Sequence, residues 1–371
     1  MLFKNIIGHN ETKQILIRSV QQNHVAHAQL FDGPIGGAGL AMALAFGTYI
    51  NCENKQLDDA CGICSSCIKM SKLAHPDVYH IFPVANITKI KGNTSDNFMG
   101  LWRNFIAEHP YRTLSDWLNF IEADNKQGNI SADEARNIVK KLSLKAFEGE
   151  YKIMLLWLPE LLNITSANAL LKILEEPPEK TLFLLVSNNS DKLLTTIISR
   201  TQRVAISGFA DEEIVQYLED QNIDPKRAKQ IAYFVEGNLS AALQMATEAN
   251  DNRHTWFAEW MRSAYKTDLA KLVKLSDEFD GFTKDKQKSI FEYSLSLFRD
   301  LFLWQNGGEA LLRLQDDELK FVQNFGKILK PQALEMLVHE INDGYYHIER
   351  NARAKVLFLD ISLSAARVLR G

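Results

Sequence analysis

All four cysteines of the chain lie in one short segment, as Cys52, Cys61, Cys64 and Cys67. Thiolates separated by two residues can converge on one ion, and four of them suit a closed, tetrahedral zinc site. An iron–sulfur cluster uses similar spacing, but its fourth cysteine usually precedes a proline closely downstream. Four unligated cysteines are the other alternative. The spacing favours Zn²⁺ as a structural cofactor, because four protein ligands leave no open position for water.

A glycine-rich stretch at 33–40, GPIGGAGL, follows an apolar strand pattern and leads into an Ala- and Leu-rich helix pattern. A phosphate-binding loop occupies such a position and reads G-x-x-x-x-G-K-[ST]. With Gly33 in the first position, Gly39 replaces the lysine that meets the β- and γ-phosphates. Leu40 replaces the hydroxyl residue that holds Mg²⁺. The stretch therefore reads as a degenerate nucleotide site, and a plain glycine turn is also compatible with it.

A hydrolysing site also needs an acidic residue at the end of a neighbouring strand to hold Mg²⁺. The candidate strand, Ile153–Trp157, ends in Trp157 and Leu158, so apolar side chains occupy the positions of the acidic motif. Two independent losses at one presumed site predict that ATP hydrolysis is gone. We therefore expect no ATP in this chain's own site.

Length and composition limit the function classes. A chain of 371 residues predicts two to three domains at about 150 residues each. The net charge of −4 argues against direct binding of nucleic acid by the whole surface. No apolar run reaches the roughly 18 residues of a membrane span, and the N-terminus lacks a signal-peptide layout. A cytoplasmic location is the default expectation.

Strand-length apolar runs alternate with helical patterns over the first 208 residues. The predicted strands are Gln29–Phe31, Val78–Phe82, Ile153–Trp157, Leu182–Val186 and a weaker Val204–Ile206. Continuous apolar runs separated by helices indicate a parallel sheet covered on both faces. A capping box of Ser131 and Glu134 predicts the start of one helix. A second helix runs from about Ser166 until Pro177 and Pro178 stop it.

Helical patterns dominate after Phe209, first in a small unit at 211–246 and then in long amphipathic segments from about residue 253. Phe291, Phe298 and Phe302 share one helical face, which we interpret as the core of a bundle. Val356, Leu359 and Leu363 share another face. The segment 84–128 interrupts the strand–helix alternation and reads as an insertion.

Four segments, with the cysteine cluster between the first two, resemble bacterial clamp-loader subunits, the AAA+ proteins of the DNA polymerase III holoenzyme. They are HAQLFDGP at 27–34, HPD at 75–77, NALLKILEEPP at 168–178 and SRTQ at 199–202. The missing lysine and acids make the chain similar to the delta-prime branch of that family, not to the ATP-hydrolysing gamma/tau branch. The resemblance covers about 3–84 and 128–250, and more loosely the C-terminal part with NARAK at 351–355. Segment 84–128 has no counterpart in it.

The resemblance implies an α/β AAA+ core at 1–208, with a parallel sheet flanked by helices, a helical lid at 209–250 and an all-α collar at 251–371. It implies a subunit of a DNA-directed DNA polymerase (nucleotidyltransferase) holoenzyme without an independent ATPase activity. Partners would be the gamma/tau ATPase and delta subunits in a hetero-pentamer. The sliding clamp would be a further partner, and primed DNA would be contacted through the assembled complex. The resemblance implies no membrane partner. The ring would load the clamp during replication.

The triplet Ser199-Arg200-Thr201 matches the family's Ser-Arg-Cys motif, with threonine in place of cysteine. In that motif the arginine reaches into a neighbour's ATP site, where a permanently charged guanidinium stabilises charge on the γ-phosphate. The alternative for Arg200 is an ordinary surface ion pair. Ser240 stands near the position where active members carry a nucleotide-sensing arginine, and serine cannot supply that charge.

Two other functions stay open at this point. One is an active gamma/tau-like AAA+ ATPase with an unusual loop, and the other is a zinc-bearing adaptor that binds nucleic acid directly. Segment 84–128 precedes the helix that begins after Ser131, which in the family lies toward the clamp. A contact with the clamp or polymerase and a tolerated surface insertion are both open for that segment.

Overall fold

The structure is a computed structural model, and it describes residues 1–123, 126–142, 145–247, 253–312, 314 and 316–370. The chain divides into two compact units, Met1–Gln244 and Met245–Gly371. The predicted boundary at 208 lies inside the first unit. The predicted boundary at 250 falls on residues outside the described part of the chain. The three-domain division therefore stays a prediction.

The first unit is built on a five-stranded parallel sheet of order β2-β3-β4-β1-β5. The strands are β1 (Ala28–Asp32), β2 (Val78–Ile81), β3 (Lys152–Trp157), β4 (Thr181–Ser187) and β5 (Gln202–Ala205). Every residue of β1, β3 and β4 is buried, as expected for a sheet covered on both faces. The four main predicted strands are confirmed, and β5 begins two residues earlier than predicted.

Helices lie before and between these strands, and the last three of this group follow β5. They are α1 (Asn10–Gln21), α2 (Gly39–Ile50), α3 (Ser65–Ser71), α4 (Ser95–Glu108), α5 (Leu114–Phe120), α6 (Ala132–Leu142), α7 (Ile164–Glu175), α8 (Thr195–Ile198), α9 (Asp211–Asp220), α10 (Pro225–Val235) and α11 (Leu239–Thr247). Helix α2 is buried along its length from residue 40 to residue 50, which makes it the central helix against the sheet.

Two helix starts show what local patterns can and cannot predict. The Ser131 hydroxyl accepts from the Glu134 N–H at 3.4 Å, so α6 begins as predicted. The Glu134 carboxylate, however, accepts from the N–H of Ser95 on α4 instead of closing the capping box. The Asn163 side chain accepts from the Ser166 N–H at 2.7 Å, so α7 begins at Ile164 and not at Ser166. It ends at Glu175, ahead of Pro177, as predicted.

The second unit is helical in its described residues. Its helices are α12 (Arg253–Lys266), α13 (Leu269–Asp280), α14 (Lys284–Gln305), α15 (Asp316–Gly326), α16 (Pro331–Glu349) and α17 (Ala354–Val368). The Phe358 ring lies 4.5 Å from Phe279 and 4.6 Å from Trp260, and the Trp260 indole donates to the Ser362 hydroxyl. Aromatic packing thus forms the core of this unit. Among the described residues, none of the helices combines the length and apolar character that a membrane crossing requires.

The predicted apolar faces of this unit are only partly buried. Phe291 and Phe298 are in the core, but Phe302 is 53% exposed. On α17, Val356 is 64% and Leu363 37% exposed, while the opposite face with Phe358 is buried. Helix α17 is apolar on two faces, so its sequence pattern cannot tell which of them contacts the bundle. An apolar stripe is left on the surface of the unit.

Candidate functional site

The four cysteine sulfurs converge at the end of α2 and the start of α3. Cys52 follows α2, Cys64 caps α3, and all four Sγ atoms lie within 4.8 Å of one another. The Cys61 and Cys67 sulfurs are 3.9 Å apart. Zn–S bonds of about 2.3 Å place tetrahedral sulfurs about 3.8 Å apart. The donor set therefore fits one Zn²⁺ ion, and Gly62, at φ +75°, provides the left-handed turn between two of the ligands.

Backbone amides help to prepare this cluster for a cation. The N–H groups of Cys61, Cys64 and Cys67 donate to the sulfurs of Cys52, Cys61 and Cys64 at 3.3, 3.3 and 3.4 Å. Hydrogen bonds from the N–H groups of Ile63 and Cys64 lower the pKa of Cys61 to about 6. Burial raises the pKa of Cys52 and Cys67. A bound zinc ion would supply the positive charge that keeps the two buried thiols deprotonated and would hold segment 52–67 together.

The glycine loop lies between β1 and α2, where a phosphate loop would lie. A Cβ atom at Gly39, the lysine position, would stand 3.2 Å from the Val186 Cγ1 atom. Leu40, the Mg²⁺-ligand position, is 3% exposed and packs into the core. None of the residues 33–40, all of which are described, carries a charged side chain. The loop therefore offers no cation to a phosphate and no hydroxyl to a metal.

The end of β3 is aromatic where a carboxylate would hold Mg²⁺. Trp157 is buried, and its ring lies 5.2 Å from Trp102. Leu158 adopts φ +57°, and its N–H donates to the Val186 carbonyl at 2.8 Å. The structure thus places both residues at the predicted edge of the sheet, in a dry environment.

Glu160, which the sequence analysis did not single out, is a carboxylate close to that edge. It lies in the short 3-10 turn Pro159–Leu161, and its Oε1 atom accepts from the Asn188 N–H at 3.0 Å. Burial raises the pKa of this carboxyl. The contact ties the loop after β4 to the end of β3, so Glu160 has an anchoring role in this structure.

Arg200 is in the turn between α8 and β5, and its side chain is 32% exposed. Its Nε atom donates to Glu175 Oε1 at 2.8 Å, and a terminal nitrogen donates to the Thr196 carbonyl at 2.9 Å. Another arginine N–H contacts the Ser199 hydroxyl, which itself donates to Thr196. A surface ion pair of this kind stabilises by only about 0–1 kcal/mol. The contribution of this pair to the stability of the fold is therefore small.

Arg200 and the glycine loop lie at opposite edges of the sheet. Gln29 of β1 pairs with Gln202 of β5, so Arg200 precedes the amino end of β5, while Gly33 follows the carboxyl end of β1. With a rise of about 3.3 Å per residue, the two backbones are about 20 Å apart along the strands. That separation exceeds the reach of one arginine side chain, so Arg200 cannot act on its own chain's loop.

Family membership follows from a comparison with known proteins. A family model described as DNA polymerase III, delta subunit, matches residues 8–210, more than half of the chain. The chain belongs to the DNA polymerase III clamp-loader family. With a five-stranded parallel sheet in its first unit and a second unit that is helical in its described residues, this clamp-loader subunit has the α/β core and the all-α C-terminal part expected from the sequence.

The relatives include two kinds of clamp-loader subunit. The DNA polymerase III subunit delta' of Yersinia pestis is 28% identical over 85% of this chain and 81% of its own length. Subunit tau of Bacillus subtilis is 23% identical over 96% of this chain, which spans 60% of that relative's length. A gamma-subunit-related protein of Thermotoga maritima superposes with a TM-score of 0.39 and 15% identity, covering 97% of this chain and all of that one.

Proposed function

We propose that this clamp-loader subunit is a delta-prime-like member that does not hydrolyse ATP and that supplies Arg200 in trans to a neighbouring ATPase subunit. The observation that carries the proposal is the division of charge between the two edges of the sheet. The edge that would receive a nucleotide lacks the lysine, the Mg²⁺ hydroxyl and the acid. The opposite edge presents a partly exposed arginine.

The chemistry of phosphoryl transfer supports this division of labour. Hydrolysis needs Mg²⁺ and a lysine to offset the charge of the phosphates, and Gly39, Leu40, Trp157 and Leu158 provide neither. A guanidinium supplied by a neighbouring chain stabilises the transition-state charge without any further group from its donor. A core without a working site can thus still contribute to catalysis in an assembly.

The proposed partners are gamma/tau and delta subunits in a hetero-pentamer that acts on the sliding clamp and on primed DNA. Phe302, Val356 and Leu363 leave apolar side chains exposed on the helical unit, which supports assembly through that unit. The net charge of −4 favours contact with DNA through the complex rather than through this chain alone.

Mixing the chain with its host's other loader subunits tests the proposal. We expect the chain to co-elute with them, to show no Mg²⁺-dependent ATP turnover alone, and to increase clamp- and DNA-stimulated turnover when added. Turnover by the isolated chain would favour the gamma/tau-like alternative. DNA binding by the isolated chain with a steep salt dependence would favour the nucleic-acid adaptor.

We also propose that Cys52, Cys61, Cys64 and Cys67 bind one structural Zn²⁺ per chain. Elemental analysis of the purified protein should find about one equivalent of zinc per chain, and the solution should be colourless. Replacing Cys61 and Cys64 with serine should abolish that zinc and lower the thermal midpoint, because metal binding contributes to folding. Ser65→Ala together with Ser66→Ala is the matched control. Iron with visible absorption would identify a cluster instead, and full stability without metal would rule out a structural role.

A further inference from the structure

The proposed function gives segment 84–128 no role, yet its helices α4 and α5 contribute to the core of the first unit. Its helices α4 and α5 bring together an aromatic cluster in which Trp102 stacks on Phe82 at 4.2 Å and meets Trp117 edge-on at 5.3 Å. Phe105 lies 5.1 Å from Trp117. The Trp117 indole donates to the Pro83 carbonyl at 2.7 Å, so its polar atom is satisfied. Helices α4 and α5 are therefore packed through aromatic side chains into the core of the first unit.

One side of the cluster covers the position of the missing acidic motif. The Trp157 ring at the end of β3 lies 5.2 Å from Trp102 and 6.4 Å from Phe105. All three rings are buried. Apolar side chains from α4 therefore pack directly against Trp157, the residue in the position of the acidic motif.

The other side of the segment is bonded to the predicted lid. The Asp116 carboxylate on α5 accepts from the Ser240 hydroxyl at 3.1 Å and from the Gln244 amide at 2.6 Å, both on α11. The Thr113 N–H donates to the same carboxylate at 2.7 Å and fixes its orientation. Ser240 stands near the position of a nucleotide-sensing arginine in active members. A negative charge from segment 84–128 thus meets the lid near where a phosphate-binding cation would be.

Three further contacts join the predicted lid to the rest of the first unit. The Tyr111 ring meets Phe209 at 5.6 Å, and His9 meets the same phenylalanine at 5.1 Å, which joins the segment to the start of the lid and the N-terminal region. At the glycine loop, the Leu239 N–H of α11 donates to the Gly36 carbonyl at 3.2 Å. The lid is therefore attached directly to the loop as well as to segment 84–128.

We propose that the α4–α5 part of segment 84–128 fills the cleft in which hydrolysing relatives hold a nucleotide, and that it replaces the nucleotide as the element that fixes the lid on the core. This inference rests on the proposed function only in taking the site as degenerate. It assigns the segment an internal role: aromatic rings exclude the metal and its waters, Asp116 disfavours phosphate by charge, and the Asp116–α11 bonds hold the lid.

Hydrogen–deuterium exchange on the full chain tests the proposed lock, that is, the Asp116–α11 hydrogen bonds that hold the lid. Ser240→Ala combined with Gln244→Ala removes the lid partners of Asp116, and Asp116→Ala removes the carboxylate. In both variants, exchange in α11 should be about tenfold faster, the change expected when a charge-assisted hydrogen bond is lost from a locally opening helix. Gln216→Ala, which removes an exposed bond to Asp220 within α9, is the control and should leave α11 unchanged. Unchanged α11 exchange in the double variant would overturn the lock, even if Asp116→Ala does not fold.

Nucleotide binding tests the filled cleft. Millimolar Mg²⁺–ATP should neither raise the thermal midpoint of the wild-type chain nor change its tryptophan fluorescence. Saturable binding that protects residues 109–117 and 239–247 from exchange would overturn the inference. Both measurements use the chain without its partners, so they are independent of Arg200. Failure of the trans role would leave them unchanged, and failure of the lock would leave the arginine assay unchanged.

Discussion

The two edges of the sheet differ in chemical character. At the carboxyl edge, Gly39, Leu40 and Trp157 stand in the positions of the lysine, hydroxyl and acid of an active site, and none of the three is charged. At the amino edge, Arg200 is charged, partly exposed and paired with Glu175. Because the strands separate the two edges by about 20 Å, a change at one has little direct effect on the other. Under the proposed function, receiving a nucleotide and supplying a cation are therefore separable properties of one core.

The largest effect should come from removing the charge at the amino edge. In a loader reassembled from its host's subunits, Arg200→Ala should lower turnover at the affected ATP site on the order of 10³-fold, because the transition-state charge loses its guanidinium. The measurement is clamp- and DNA-stimulated ATPase at saturating ATP. The fold should be intact, since the ion pair lost contributes only about 0–1 kcal/mol.

Two control variants test whether the effect is specific to the guanidinium of Arg200. Lys192→Ala removes one positive charge from the exposed 3-10 turn Ser190–Lys192 ahead of α8 and should leave turnover within about twofold, as expected for a screened surface charge. Arg200→Lys keeps the charge but loses the planar fork, so it should recover little activity. Full ATPase in the Arg200→Ala loader would show that the amino edge contributes no catalytic charge.

Restoring the charge at the carboxyl edge should have a smaller effect, and on stability alone. Gly39→Lys with Leu40→Thr reinstates the loop residues, but a Cβ atom at position 39 meets Val186 at 3.2 Å and Leu40 is buried. Overpacking and lost burial should destabilise the protein by about 1–3 kcal/mol, read as a lower urea midpoint. We expect no ATP turnover, because Trp157 still occupies the acidic position.

Gly39→Ala separates these two causes, since it adds the Cβ atom without a charge. It should account for part of the destabilisation and leave the remainder to the rest of the lysine side chain and to Leu40→Thr. Mg²⁺-dependent ATP turnover by the double variant would mean that the two loop residues alone separate this edge from an active site. The difference between the two edges would then depend on those two residues only.

The sheet was predictable from the sequence because buried parallel strands have continuous apolar sequences, such as Ile153–Trp157. The cysteine cluster was predictable for a similar reason, since its ligands lie within 16 consecutive positions, 52–67. The degenerate loop could be found by alignment to a local pattern, Gly33 to Leu40. In each case the information is contained in one short window.

The partners of these features could not be predicted, because they come from distant parts of the chain. Glu175 meets Arg200 across 25 residues, and Asp116 meets Ser240 across 124. Neither acid differs locally from an ordinary surface carboxylate. Helix α17 shows the same limit, since two of its faces are apolar and only the packed bundle decides that Phe358 is buried and Val356 exposed.

The smallest expected effect concerns the contact between Arg200 and Glu175. If Glu175 only holds the guanidinium until a phosphate replaces it, Glu175→Gln weakens a competitor of the ATP site. Loader turnover should then rise by no more than about fivefold, the equivalent of the roughly 1 kcal/mol in a surface ion pair. Glu176→Gln, the adjacent exposed carboxylate, should have no effect. In the Arg200→Ala background, Glu175→Gln should also have no effect, because the competing pair no longer exists.

A loss of turnover in Glu175→Gln as large as that of Arg200→Ala would instead mean that the acid orients the arginine toward the neighbouring ATP site. Glu175 and Arg200 would then act together at the amino edge, and the comparison between the edges would have to count Glu175 among the residues that act on the neighbouring ATP site.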